Sequence, residues 1–268
     1  MTGKTRWNEG PRPRLLATDI DGTLIAFGSH PTPAVRLAID LLRESGVIVH
    51  LATGRSPWHG LAGIARAVGL AGPQITLHGA LVADPETGAI ERGRPIPPGL
   101  VEEIVALAAS MGLDPTFATG EANRFVHLAD RRALDAIRAE TLYSAYLPAT
   151  PATHADLVAA AGRRLGDRLA YTWGDESGIE VLAPGTDKSE ALAWVAAGYG
   201  IPMAEVAAVG DAANDRGMLR AAGASVAMGG AKPDVRAAAS HVTRSAEEDG
   251  LVHAIRWLFP DLDHRLRG

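Results

Sequence analysis

A chain of 268 residues, 47% of them hydrophobic, has material for one large domain or two with buried cores, and with no repeat or low-complexity tract it reads as globular. Its net charge of -5 and pI near 6.0 speak against a polyanion-binding surface, and the pairs Arg131-Arg132 and Arg163-Arg164 are too short to track a nucleic-acid backbone. With 0 cysteines there is no disulfide framework, zinc ribbon, iron–sulfur cluster or thiol nucleophile.

The polar opening segment Met1–Gly10 reads as a loose leader with no apolar core for a secretory signal. No uninterrupted apolar stretch approaches the roughly 20 residues that cross a bilayer. A soluble, cytoplasmic protein with no membrane partner is the expectation. The first predicted strand is the apolar run Leu15-Leu16-Ala17-Thr18, which leads into Asp19-Ile20-Asp21-Gly22-Thr23. Carboxylates two apart on an extended backbone share a face, so Asp19 and Asp21 can converge on one atom. Two carboxylates held that close need a cation between them or a proton on one. The alternative is a plain strand entering an Asp-Gly turn.

Thr32-Pro33 followed by Val35, Ala38, Ile39 and Leu42 reads as a capped helix that Gly46 ends. The run Val47–Ala52 closes on Thr53-Gly54-Arg55, a further helix reaches about Gly69, and Gln74–Leu77 is a third short run. Strand, helix, strand, helix, strand predicts a parallel sheet of βαβ units. The pattern then changes. Residues 84–184 carry their own turn signals, helical stretches near 98–111, 130–141 and 153–166, and short strand-like runs such as Arg124–Leu128. That is enough for a second, α+β domain. The βα rhythm resumes with a helix from Lys188, the run Val206–Asp211, a helix through Met218-Leu219 and the run Ser225–Met228. The fold predicted is a Rossmann-like α/β parallel-sheet core, residues 12–83 and 185–268, with an α+β domain at 84–184 inserted into it.

In open parallel sheets ligands bind at the carboxyl ends of the strands. Asp19, Thr53 and Asp211 each fall at such an end, beside glycines that let backbone N–H groups approach an anion. Asp211 and Asp215 offer hard oxygen ligands of the kind Mg²⁺ takes, although Asn214 or Asp215 could equally cap the next helix. Thr53 alone would be an ordinary cap. Lys188 alone would be an ordinary surface lysine, but with Asp187 and Glu190 as a capping box it sits in a first helical turn, where an anion would explain a cation.

Asp19-Ile20-Asp21-Gly22-Thr23, Thr53-Gly54-Arg55, Lys188 and Gly210-Asp211-Ala212-Ala213-Asn214-Asp215 resemble the four motifs of the haloacid-dehalogenase (HAD) superfamily. The long insertion resembles the C2 cap of its Cof-type, subfamily IIB phosphatases. His78-Gly79-Ala80 departs from the Asn-Gly-Ala common in that group, and Ser189 follows the lysine where glycine is frequent. The resemblance implies Asp19 as nucleophile and Asp21 as general acid/base, acting through an aspartyl-phosphate. It implies Mg²⁺ held by Asp19, the Asp21 carbonyl and Asp211, with Asp215 behind them. Thr53, Gly54, Lys188 and Asn214 would bind the phosphoryl group. The cap would close over the centre, with Arg124, His127, Tyr171, Trp173 and Glu180 as candidate contacts, each of which could equally be structural.

The function so expected is Mg²⁺-dependent hydrolysis of a small phosphorylated metabolite, such as a sugar phosphate or cofactor-like phosphate. A phosphomutase or phosphotransferase would use the same centre and pass the phosphoryl group to a second hydroxyl. A non-catalytic phosphoacceptor is disfavoured by Asp21, which would hasten loss of the phosphoryl group, and by the insertion. A dehalogenase would give Asp21 no proton to deliver. The sequence carries no sign of the oligomeric state.

Overall fold

The computed structural model describes residues 7, 8 and 10–266. Most of the expected leader lies outside the described residues. Trp7 does not behave as a loose residue: its N–H donates to the Trp257 carbonyl at 2.7 Å, and the two indoles sit 5.7 Å apart. An indole gains too much by covering apolar surface to stay in water.

The chain begins with β1 (Leu15–Thr18), α1 (Pro33–Glu44), β2 (Ile48–Leu51), α2 (Leu61–Ala67), β3 (Gln74–Thr76), β4 (Leu81–Ala83) and β5 (Ile90–Gly93). It continues through α3 (Pro98–Ser110), β6 (Thr116–Ala118), β7 (Asn123–Phe125), α4 (Arg131–Arg138), β8 (Ser144–Pro148), α5 (His154–Leu165), β9 (Ala170–Thr172) and β10 (Gly178–Leu182). It ends with α6 (Lys188–Gly198), β11 (Val206–Gly210), α7 (Arg216–Ala221), β12 (Ala224–Ala227), α8 (Pro233–Arg236), β13 (His241–Val242) and α9 (Gly250–Leu258).

A parallel sheet in the order β13-β12-β11-β1-β2 forms the core. Its strands are apolar throughout because both faces are covered. Successive residues of β1 go to opposite sides: Leu16 packs with α1 and α9 residues such as Ile39 and Ile255, while Leu15 and Ala17 pack with Leu192 and Met218 of α6 and α7. Thr32 caps α1 through its hydroxyl, which accepts the Val35 N–H at 3.2 Å, and Pro33 follows at the first helical position.

The third run departs from the expected parallel sheet. β3 touches the core through one parallel bridge, Ala52 to Ile75, and then forms an antiparallel sheet with β4 and β5. A tight turn at Leu77–Gly79 folds the chain straight back, which a βαβ crossover forbids.

A second five-stranded sheet, β7-β6-β8-β10-β9, is antiparallel throughout. Phe117, Ala145, Leu147, Ile179 and Val181 lie on one face, packed on α3 and α5 residues including Ile104, Leu107, Leu157 and Ala161. Their alternate neighbours, Thr116, Ser144, Tyr146 and Glu180, occupy the other face, paired in register as Thr116 with Tyr146 and Tyr146 with Glu180. Leu81 and Ala83 of β4 meet Ala118 and Leu182 in a small apolar cluster that ties the inserted sheet to the rest. The architecture is therefore the expected α/β core with an inserted antiparallel layer.

Candidate active site

β1 and β11 are adjacent, and the residues that follow them, Asp19 and Asp211, meet at the carboxyl edge of the sheet. Gly22 turns the chain between Asp21 and Thr23 at φ +80°, and a Cβ there would lie 2.5 Å from Asp211 Oδ2. Only glycine permits both the turn and the approach. Thr23 Oγ1 then donates to Asp211 Oδ1 at 2.8 Å.

Carboxylate oxygens of Asp19, Asp211 and Asp215 lie within 4.8 Å of one another. Lys188, the first residue of α6, reaches in from behind with its side chain fully buried, donating to Asp19 Oδ1 and Asp215 Oδ1, both at 2.7 Å. Asp187 caps that helix by accepting the Glu190 N–H at 2.8 Å, as the capping-box reading expects. The other half of the box is absent, since the Glu190 carboxylate pairs with Arg92 and Arg94. Asp215 Oδ2 accepts the N–H groups of Asp211 and Ala212 at 2.9 and 3.0 Å, so this carboxylate also shapes the loop after β11.

Burial pushes Asp19 well above the ordinary carboxylate range; Lys188 opposes the rise, and Asp215 and Asp211 add to it. Burial and Asp215 likewise raise Asp211 to about 6. Lys188 would be lowered by burial, yet Asp19 and Asp215 together hold it above its ordinary value. Three carboxylates share one ammonium, and the excess negative charge is what a hard divalent cation relieves. The donor set fits Mg²⁺.

The carboxylate of Asp21 stands outside this cluster. Arg55 clamps it with two hydrogen bonds, Nε to Oδ2 at 2.7 Å and Nη2 to Oδ1 at 2.5 Å. The sequence reading left that side chain free for proton transfer, and the Arg55 partner was not foreseen. Thr53 is buried beyond the end of β2, and its hydroxyl accepts the Arg55 N–H at 3.0 Å. Gly54 lies flat against His78, whose Cε1 would stand 2.4 Å from a Cβ. Asn214 Nδ2 donates to His78 Nδ1 at 3.1 Å, and burial with Lys188 nearby pushes His78 down to about 3, so the imidazole is neutral.

Asp19, Asp21, Thr53, Arg55, His78 and Asp211 line a cleft of about 290 Å³ whose far wall is the inserted sheet and its β9–β10 turn, while Lys188 and Asp215 lie buried behind it. Of the five candidate contacts from the insertion, Trp173 and Glu180 line it. Arg124 pairs with Glu140 and His127 with Asp114, both away from the cleft. Tyr171 faces a different groove. Strand alternation explains two of these: Arg124 is in register with Phe117 and Tyr171 with Val181, on the helix-covered face. Tyr146, Asp175, Ser177 and the exposed Phe27 line the cleft without having been singled out. The parity of Tyr146 with Glu180 was the signal that could have found the first.

A family model described as haloacid dehalogenase-like hydrolase matches residues 16–141 and 137–255. The chain belongs to that family. The hydrolase is 30% identical over 272 residues to the HMP-PP phosphatase of Cronobacter sakazakii, covering 94% of this chain and 98% of the relative. It is 26% identical over 269 residues to the 5-amino-6-(5-phospho-D-ribitylamino)uracil phosphatase YitU of Bacillus subtilis, covering 92% and 98%. Among solved structures, a HAD-superfamily phosphatase from Bacteroides thetaiotaomicron superposes with a TM-score of 0.77 at 24% identity, over 92% of this chain and 95% of that one. That likeness concerns the fold. Among the described residues of the hydrolase, no helix is long and apolar enough to cross a membrane.

Proposed function

We propose that this hydrolase is a Cof-type, subfamily IIB phosphatase that releases phosphate from a small phosphorylated metabolite in the cytoplasm through an aspartyl-phosphate. The observation that carries this reading is the meeting of the Asp19, Asp211 and Asp215 carboxylates around the buried Lys188. Residues 84–184 act as the cap in this reading, and the phosphatase names of the two relatives support it.

Asp19 is the nucleophile. Lys188 on its Oδ1 fixes the orientation of the carboxylate and favours its ionised form against the effect of burial. Asp19, Asp211 and the Asp21 carbonyl, backed by Asp215, would hold Mg²⁺, which when bound would offset the charge between nucleophile and phosphate. Thr53, the Gly54 amide, Lys188 and Asn214 grip the phosphoryl oxygens. Asp21 gives a proton to the leaving oxygen and later takes one from the attacking water, so the leaving group has to displace part of the Arg55 clamp. The neutral His78 keeps Asn214 in place.

The test is Mg²⁺-dependent hydrolysis of p-nitrophenyl phosphate by the wild type and by Asp19→Asn. The variant should keep its circular dichroism and lose activity by about a thousandfold or more. Near-normal turnover in Asp19→Asn would overturn the mechanism. Phosphate release measured with excess glycerol distinguishes hydrolysis from transfer to an acceptor, since transfer yields glycerol phosphate.

A further inference from the structure

The wall opposite Asp19 carries information about the leaving group. Thr116, Ser144, Tyr146 and Glu180 share the face of the inserted sheet that its helices leave bare. With Asn123 they line a second hollow, of about 180 Å³. It opens on the first, because Gly54, Tyr146 and Glu180 belong to both. Thr116, Ser144 and Asn123 offer neutral hydroxyl and amide groups, and the Tyr146 phenol donates to the Ser177 carbonyl at 2.6 Å.

The cations near this wall are already engaged. Arg55 holds Asp21, Lys188 lies between Asp19 and Asp215, and Lys232 at the rim pairs with Glu176 at 2.8 Å. His78 is neutral. Among the described residues, no Lys or Arg lines the second hollow. Asp175 adds negative charge, since hydrogen bonds from Ser177 hold it below the usual carboxylate range. Burial raises the Glu180 carboxyl to about 7. The ionised form of a carboxyl so placed gains from any donor brought against it and is opposed by any anion.

We propose that Glu180, with the neutral groups around it, selects phosphate monoesters whose leaving group is uncharged and rich in hydrogen-bond donors, such as a polyol. It turns away leaving groups that carry a second phosphate or a carboxylate. The inference rests on the phosphatase reading above. A bisphosphate seated with one phosphoryl group at Asp19 would bring its other anion toward Glu180 and the ionised Asp175, where no unengaged cation among the described residues receives it, and this unmatched charge is the selective element.

The experiment compares, with Mg²⁺ present, p-nitrophenyl phosphate, fructose carrying one phosphate and fructose carrying two. The full-length protein should hydrolyse the first, and its kcat/KM should favour the monophosphate over the bisphosphate by about tenfold or more. Glu180→Gln should narrow that ratio, and Glu180→Lys should reverse it. A residue with only a structural role would lower both sugar esters in proportion and leave the ratio intact. Equal rates, or a preference for the bisphosphate in the wild type, overturn the proposal. So does a ratio that neither variant moves. No hydrolysis of p-nitrophenyl phosphate by the wild type overturns the phosphatase reading and this inference with it.

Discussion

At residue scale the centre is built on approaches so close that they dictate the residue type. Gly54 is one such case, because a Cβ would fall 2.4 Å from the His78 ring, which is buried and tied to Asn214. His78 itself sits at φ 55°, so its backbone has little freedom to yield. Gly54→Ala is therefore expected to raise KM for p-nitrophenyl phosphate by about tenfold or more and to lower stability by about 1–3 kcal/mol. Steady-state kinetics and urea unfolding check both. Adding His78→Asn, a smaller side chain, should recover part of each loss, because the two positions share one contact. A double variant no better than the single one would show that the ring is not the obstacle. The meeting of Asp19, Asp211 and Asp215 was legible from the strand ends and from the motifs they resemble. The Arg55 partner of Asp21 was not, because a pair that spans two loops is fixed by how the strands are spaced and leaves no local pattern.

At element scale, alternation along strands sorts functional from structural side chains. Glu180 and Tyr171 looked equally eligible as isolated residues. Register places them on opposite faces, since Tyr171 opposes Val181, and the hydrophobic run in β10 already marks which face is covered. The antiparallel turn of β3 was hidden for the opposite reason: a short apolar run has no period that distinguishes a parallel from an antiparallel neighbour. β2 carries a pH-sensitive position of its own. Burial pushes His50 from its ordinary 6.5 to about 4, with the Pro73 carbonyl opposing. Below 6.5 the unfolded chain takes up a proton that the folded strand refuses until about 4, so stability falls as pH drops through that window. The slope from this residue is at most about 1.4 kcal/mol per pH unit. Urea midpoints measured at neutral and mildly acidic pH should fall, and His50→Leu should make the dependence shallower. An unchanged slope in that variant would contradict the assignment.

At the scale of the whole molecule, the parallel sheet packs between two apolar clusters and the inserted sheet on another, and a small further cluster around Leu81, Ala118 and Leu182 joins them. Damage to one should therefore remain local. Phe117, fully buried under α3 and α5, is the test: Phe117→Ala removes about 3–5 kcal/mol of packing. Hydrogen exchange read by mass spectrometry should quicken in β6, β8 and β10 and stay unchanged in β1 and β11. Faster exchange in all five strands would mean that the two sheets unfold as one unit. The Lys188–Asp19 pair closes over 169 residues and the Thr23–Asp211 bond over 188, so the reactive cluster joins distant parts of the chain. On a ribosome, Asp19 emerges long before Lys188 and Asp211, and the whole intervening sheet is made in between. Closing so long a loop is among the slower events of folding. A nascent or prematurely terminated chain thus holds Asp19 without Lys188 and Asp211, so the carboxylate cluster is completed only in a chain that already carries the inserted sheet.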